Sequence, residues 1–449
     1  MLKIGIIGGG PAGYALAIKM AQKGCSVVLF EKEKLGGTCL NKGCIPTKAI
    51  LHSSNLIYKT KALSTFGIDI NTDNFDFSKL VERKDTIVSK LNKSLGMLLN
   101  SYNIEIINEE VISFDKEQII TQNTKTACDI IILATGTVPA QIKGIEADNQ
   151  FIYNSDGILT LEKLPKSILI IGSGAIGIEW SRIFADLGVE VTLIEAAERI
   201  LPIADIDVSS RLERLLKKKR VKIEKATIVE KIECNEVKLS NGKTLNPEKV
   251  LVAIGRTPIL PNTELEFKTN KGFLDVDKNF MTNIPNIYAI GDINGISMLA
   301  HSATHQAIEL AEYLTQNKQP HFTQKDIPSV IYGTPEAAWF GATEQMLIES
   351  NLQFKKVLFP ISAIGKAHAE DEIDGFIKIL TNEEKILGVS IVAPEASSIL
   401  MQFLVAKENN LSYKSILNAV YPHPTFSEAA FEAILALDNE SLSLPKIKE

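Results

Sequence analysis

KIGIIGGGPAGYALA, residues 3–17, and SILIIGSGAIGIEWS, residues 167–181, follow one pattern. Gly8, Gly10 and Gly13 return as Gly172, Gly174 and Gly177, each 164 residues further on. The stretches that come next, CSVVLFEK (25–32) and VEVTLIEA (189–196), put Glu31 and Glu195 at the same offset. Each copy reads as a buried strand, a glycine turn, a helix and a second strand that ends in a carboxylate. The spacing has a physical reason. The first glycine makes the tight turn, the second lets a pyrophosphate approach the backbone, and the third lets helix and strand pack closely. Pro11 and Ala12, like Ala175 and Ile176, open the helices, whose free amides and positive dipole end suit phosphate. The carboxylate can accept hydrogen bonds from an adenosine ribose. One such triplet occurs in many ordinary turns. Two in register, each with strand, helix and acid in place, predict two dinucleotide-binding units and an α/β fold. Glu195 repels a 2′-phosphate, which favours NAD over NADP at the second unit.

The repeat breaks at Ala15, whose counterpart is Glu179. Glu179 lies in GIEWSRIFADLG, early in a helix and among apolar residues. An acid there suits the helix dipole. It also suits a partner in a site, and Lys48 is the candidate.

Composition narrows the class. The 449 residues suggest two to four domains with ample chain for large cores. Hydrophobic residues at 45% and charged residues at 23% are ordinary for a soluble globular protein. The net charge is −6 and no basic stripe runs through the chain; Lys217–Arg220 reads as a solvated helix face. Nucleic acid is therefore not an expected partner. No apolar run reaches the length of a membrane span, so no membrane association is expected either. MLKIGIIGGG lacks the features of a signal peptide, and a reducing cytoplasm is the expected compartment.

GGTCLNKGCIPTK, residues 36–48, resembles the active-site segment of the FAD-dependent pyridine nucleotide–disulfide oxidoreductases. The resemblance covers essentially the whole chain. IILATGTVPA, LVAIGRTP, NIYAIGDI, LAHSATHQA, PSVIYGTPEAAWFG and YPHPTFSEAAFEA all occur in the family's order. It implies an FAD domain over about 1–143, an NAD domain over 144–268, a segment completing the FAD site over 269–325, and an interface domain over 326–449. The last agrees with the residues themselves: DEIDGFIKILTNEEKILGVSIV alternates like antiparallel strands, and ASSILMQFLVAKENN and FSEAAFEAILALD read as helices.

Cys39 and Cys44 are two of only 5 cysteines. Zinc would need about four ligands, and no second pair stands at suitable spacing. A packing disulfide does not suit a reducing compartment, whereas a redox dithiol beside a flavin accounts for the spacing and the glycines. By resemblance Cys44 faces the flavin and Cys39 meets the substrate. Cys25, Cys128 and Cys234 read as small core residues. Lys48, four residues after Cys44, can share its helix face. The family's matching lysine lies near the flavin and pairs with the glutamate that matches Glu179. Such a cation stabilises a reduced, anionic flavin. Thiol chemistry needs a base. His423 precedes a proline, which favours extended backbone, and Thr425-Phe-Ser-Glu428 reads as a capping box. In the family the residues matching His423 and Glu428 form a base–carboxylate dyad supplied by the opposite subunit of a homodimer.

The resemblance assigns further contacts. Gly37, Thr38, Ala134, Thr135, Gly136, Gly291 and Asp292 join Gly8, Gly10, Pro11, Ala12, Gly13, Glu31, Lys32 and Lys48 around FAD. Gly255 and Arg256 join the second glycine unit, Glu179 and Glu195 around NAD. No metal is expected, and His301 and His305 read as packing or helix-surface residues. The implied reaction oxidises a dihydrolipoyl group at the expense of NAD⁺. That group would sit on the acyl-carrying subunit of a 2-oxoacid dehydrogenase complex or on a glycine-cleavage carrier protein. The alternatives are an NAD(P)H-dependent disulfide or metal-ion reductase and a redox-silent structural subunit. The chain departs from the family pattern at Tyr421, where histidine is frequent, and at Ala307, Ala393, Ser398 and the segment after Arg256.

Overall fold

The computed structural model describes residues 2–60, 63–68, 75–322 and 326–445. The chain divides into two compact units: 1–50 with 74–164 and 254–324, and 51–73 with 165–253 and 325–449. The first therefore joins most of the expected FAD domain, without 51–73, to its completing segment, and the second joins most of the expected NAD domain to the interface domain. No helix among the described residues is long and apolar enough to cross a membrane.

The first unit is built on a parallel sheet in the order Ile287–Ala289, Ile130–Leu133, Lys3–Ile7, Ser26–Phe30, Glu105–Ile107. These strands are near-continuous runs of Ile, Val and Leu because both faces of the sheet are covered. Ile4, Ile6, Leu16, Met20, Leu29 and Ile132 bury one face, while Val28, Phe30, Ile131 and Leu133 bury the other. The Pro11–Gln22 helix packs on the first of these faces.

In the second unit four parallel strands run in the order Lys222–Glu224, Glu190–Ile194, Ser167–Ile171, Lys249–Val252. The repeat holds to the residue. Lys3–Ile7, Pro11–Gln22 and Ser26–Phe30 become Ser167–Ile171, Ala175–Asp186 and Glu190–Ile194, with both ends of every element displaced by 164. The C-terminal part of this unit is the expected antiparallel sheet, in the order Ser329–Ile331, Glu336–Gly341, Lys385–Ala393, Phe376–Asn382, Lys355–Pro360. The helices Ala396–Glu408 and Glu428–Leu437 bury Ile399, Phe403, Ala433 and Ile434 in the same core as Ile377, Ile379 and Val389. Lys378 sits in this unit fully buried, with its ammonium 2.8 Å from Asp205 and 2.6 Å from both Asp207 and Glu344. Burial works against its charge, and the three carboxylates overcome that and raise its pKa.

Two expectations need correction. Cys234 is exposed, at the turn between the strands Val229–Glu233 and Glu236–Leu239, so it is not a core residue. Lys219 does not belong to a solvated face: it pairs with Asp186, and its ammonium lies over the ring of Tyr58. A cation and a π-face together compensate a largely buried charge.

Candidate active site

The two glycine turns are held by matching hydrogen bonds. Glu31 accepts from the amide of Gly9 at 2.9 Å and from that of Glu33 at 2.8 Å. Glu195 accepts from Ser173 at 3.0 Å and Ala197 at 2.8 Å, the same amides 164 residues on. Each carboxylate keeps lone pairs for further donors. A Cβ on Gly13 would stand 1.8 Å from the carbonyl oxygen of Gly8, and one on Gly177 would stand 1.9 Å from that of Gly172. Only glycine permits that helix-to-turn contact.

The first turn is further enclosed by the cysteine segment. The amide of Gly36 donates to the carbonyl of Gly9 at 2.8 Å, and a Cβ on Gly37 would meet the Gly10 Cα at 2.7 Å. Asn41 and Asn92 both donate to the carbonyl of Leu35, which fixes the approach of the segment. At Gly174 a Cβ would meet nothing within 4 Å. Both turns thus fit a bound pyrophosphate: backbone amides at a helix start, a glycine without a side chain at the approach, and a carboxylate at the end of the next strand.

Cys39 lies in the short helix Gly37–Lys42, and Cys44 opens the helix Cys44–Thr60. Gly43 makes the junction, and Pro46 falls in the first turn, where a missing N–H costs nothing. The two thiols hydrogen-bond each other. That bond to Cys44, with burial, holds the Cys39 pKa far above the usual thiol range, while the Lys48 charge pulls it down. Tyr14, on the Pro11–Gln22 helix, also faces the pair: burial raises its pKa first, and the two cysteines raise it further. Sequence reading passed over Tyr14 because it sits inside the glycine motif as an unremarked aromatic.

Several of the residues expected around the flavin form one network. Asp292 accepts from the hydroxyl of Thr137 at 2.9 Å, and that hydroxyl accepts from Nε of Arg256 at 2.8 Å. Arg256 also donates to the carbonyl of Thr137 at 2.8 Å and reaches Thr38 at 3.4 Å. Burial raises the Asp292 pKa, against the opposing pull of Thr137 and Arg256. Gly291, at φ 78°, donates to Gln306 at 2.9 Å, and a Cβ there would touch Ala12 at 3.0 Å. Gly8 packs on Ala134, Thr135 donates to the carbonyl of Ile259 at 2.6 Å, and Gly136 has φ 70°. Lys32 is turned outward to Glu110 at 3.0 Å. Arg256, expected on the NAD side together with Gly255, thus has its guanidinium among residues of the first unit.

In the second unit Glu179 is buried and accepts from the amide of Tyr332 at 3.0 Å. Arg182, one turn on and fully buried, donates to the carbonyl of Pro335 at 2.8 Å. Burial lowers its pKa to about 10, although Asp186, Glu179 and Glu336 oppose this. His423 Nδ1 lies 2.8 Å from Glu428 Oε1, while Glu428 Oε2 accepts from the amide of Thr425 at 2.7 Å. The capping box is half formed: the Thr425 hydroxyl donates back to the carbonyl of Pro422, and Ser427 is the N-cap. The carboxylate of Glu428 holds Nδ1–H of the imidazole, which leaves the lone pair on Nε2 of an exposed ring. The chain thus contains a sulfur pair beside a cation, a His–Glu dyad and two dinucleotide cradles.

The chain belongs to the pyridine nucleotide-disulphide oxidoreductase family, which it matches over residues 2–307, with that family's dimerisation domain over residues 327–434. Among curated relatives it is 36% identical to a dihydrolipoyl dehydrogenase of Chlamydia pneumoniae, over 98% of this chain and 98% of that protein. It is 35% identical to the dihydrolipoyl dehydrogenase of Bacillus subtilis, over 97% and 98%. Among solved structures it shares a fold with LpdA from Mycobacterium tuberculosis, at TM-score 0.91 and 22% identity over 97% of this chain and 100% of that one. The cofactors of the family are FAD and NAD.

Proposed function

We propose that the protein oxidises the dithiol of a dihydrolipoyl group to the disulfide while NAD⁺ is reduced to NADH. The observation that carries this reading is the contact of Cys39 with Cys44 within the field of Lys48. His423 takes a proton from one substrate thiol at Nε2, and Glu428 stabilises the imidazolium that results. The substrate thiolate attacks Cys39 of the Cys39–Cys44 disulfide, and Cys44 leaves as a thiolate facing the charge of Lys48. His423 then gives its proton to Cys39 as the second substrate thiol displaces that sulfur from the mixed disulfide, and the imidazole takes up the second thiol's proton and releases it to solvent. One S–S bond is broken and one is formed, so the lipoyl group leaves oxidised and the protein holds a dithiol. FAD, when bound, supplies the two-electron acceptor that restores the disulfide and passes hydride to NAD⁺.

The dyad in this reading comes from the second subunit, and Lys48 and Glu179 form a pair that steadies the lysine charge. The FAD set is the first glycine turn with Glu31, Thr38, Gly136, Gly291 and Asp292. The NAD set is the second turn with Glu195, Gly255 and Arg256. The carrier is a lipoyl-bearing protein of a 2-oxoacid dehydrogenase complex or of glycine cleavage, and the compartment is the cytoplasm. Glu195 speaks against NADPH-driven disulfide reduction, because its carboxylate occupies the ground a 2′-phosphate would need. Arg199, the nearby cation, is already engaged with the carbonyls of Pro202 and Ala204 and the hydroxyl of Ser209. Steady-state rates with dihydrolipoamide and NAD⁺, set beside glutathione disulfide and NADPH, test the reading. Turnover in the first pair and little in the second is expected; the reverse ranking would overturn it.

A further inference from the structure

A group of side chains in the first unit takes no part in the chemistry above. His305 and Glu309 stand one turn apart on the helix Ala300–Gln316, and His321 follows five residues after the helix ends. One ligand atom from each lies within 4.8 Å of the other two. His321 Nδ1 is 2.8 Å and His305 Nε2 is 3.6 Å from the same oxygen of Glu309. The two imidazoles are half exposed or more, and the carboxylate between them is 3% exposed.

The carboxylate is fixed before any ligand arrives. Its oxygens accept from the backbone amides of His321 at 3.3 Å and Phe322 at 3.1 Å. Burial raises its pKa, but the two histidines and the His321 amide outweigh this and leave it lowered, so it is an anion at neutral pH. Lys318, whose charge also reaches Glu309, is itself held 2.6 Å from Glu312. The His305 ring is backed by Phe322 at 5.9 Å and lies edge-on to His321 at 6.1 Å.

We infer that His305, Glu309 and His321 form a binding site for a divalent transition-metal ion of the zinc type. Two imidazole nitrogens and one carboxylate oxygen are a donor set that such ions prefer over calcium or magnesium. Tetrahedral bonds of about 2.0–2.2 Å place neighbouring donors roughly 3.3–3.6 Å apart; the separations here are 2.8, 3.6 and at most 4.8 Å, so small rotations of the two exposed rings reach that spacing. The ion enters from the exposed side, takes the place of the direct His321–Glu309 contact, and keeps water at its open position. Its effect is mechanical. It clips the segment at His321 to a helix whose Gln306 also holds Gly291 and Asn294 beside the flavin-side network.

The test uses the tag-free FAD-loaded protein with its disulfide oxidised, so that Cys39 and Cys44 do not compete. Zn²⁺ is titrated against a chromophoric chelator, and the thermal midpoint is followed with and without Zn²⁺. The wild type should take up one equivalent of Zn²⁺ per chain that His305→Ala and His321→Ala each lose, and only the wild type should gain thermal stability from it. Both substitutions remove exposed rings, and circular dichroism checks that the fold is kept. Glu309→Gln is avoided because Glu309 also holds two backbone amides. If the histidine variants bind as much Zn²⁺ with the same affinity as the wild type, or the wild type takes up none at this level, the cluster is only a helix-end ion pair and the inference is wrong.

Discussion

His423 owes its proton position to Glu428, and Glu428 is in turn anchored by the Thr425 amide. His423→Gln should therefore lower dihydrolipoamide oxidation by about 10²–10⁴-fold, the usual value of a general base. Transfer between NADH and the bound flavin needs no thiol proton and should persist, which stopped-flow reduction by NADH can check. Glu428 was legible as a cap and, by resemblance, as an orienter; the structure has one carboxylate do both, one oxygen for each. Asp292 makes the opposite bargain with stability. Burial raises its pKa, so the folded chain holds that proton more tightly than the unfolded one. Stability then falls as pH rises from the ordinary aspartate value through the raised folded one, and the loss is constant above it. Asp292→Asn should raise the thermal midpoint of the FAD-free protein at about pH 8, with the gain fading towards about pH 3, below the ordinary aspartate range. The same change should weaken FAD retention. Calorimetry across pH, with flavin release measured alongside, reads both; an unchanged midpoint at high pH would show that Thr137 and Arg256 fully compensate the burial.

At the scale of elements, the repeat makes two glycines of one turn testable against each other. Gly177→Ala would force a Cβ to within 1.9 Å of the Gly172 oxygen, whereas Gly174→Ala would meet open space. The first should cost several kcal/mol, in the range of severe overpacking, and lower the thermal midpoint. The second should leave the midpoint within about 0.5 kcal/mol of wild type, as surface changes do, while raising the KM for NAD⁺. Both were legible because the pattern is local: every strand, turn and helix of the unit lies within about thirty residues, the span of a βαβ unit. What was not legible depends on distant contacts. Arg256 reaches Thr137 across 119 residues, and Lys378 reaches Asp205 across 173. No periodicity announces such pairs, so the partners of Arg256 were not foreseen and Lys378 was not noticed. Cys234 was taken for a core residue because its flanks are strand-like, but the turn that joins those strands carries it outside. Lys219 was read with its charged neighbours, and only the position of Asp186 and Tyr58 brings it inward.

For the whole molecule, the question is how the dyad meets the sulfur pair. The chain carries the family's dimerisation domain, and Val420, three residues before His423, is 98% exposed as a single chain. If each site takes its sulfurs from one subunit and its base from the other, a mixed dimer of His423→Gln and Cys39→Ser chains holds one site with both lesions and one with neither. Subunit exchange under mild denaturant should then restore activity to two inactive proteins, towards half of the wild-type value per mixed dimer. Verified mixed dimers that stay inactive would place the site within one chain. The asymmetry between the two glycine turns has its own consequence. Both present the same amides and the same acid, yet Gly37 is folded down against Gly10 while nothing stands over Gly174. A guest at the first turn would lie beside the segment that carries Gly37, whereas the second turn has no such neighbour within 4 Å of a Cβ on Gly174. The same grip, once roofed and once open, suits a tenant at the first turn and a commuter at the second.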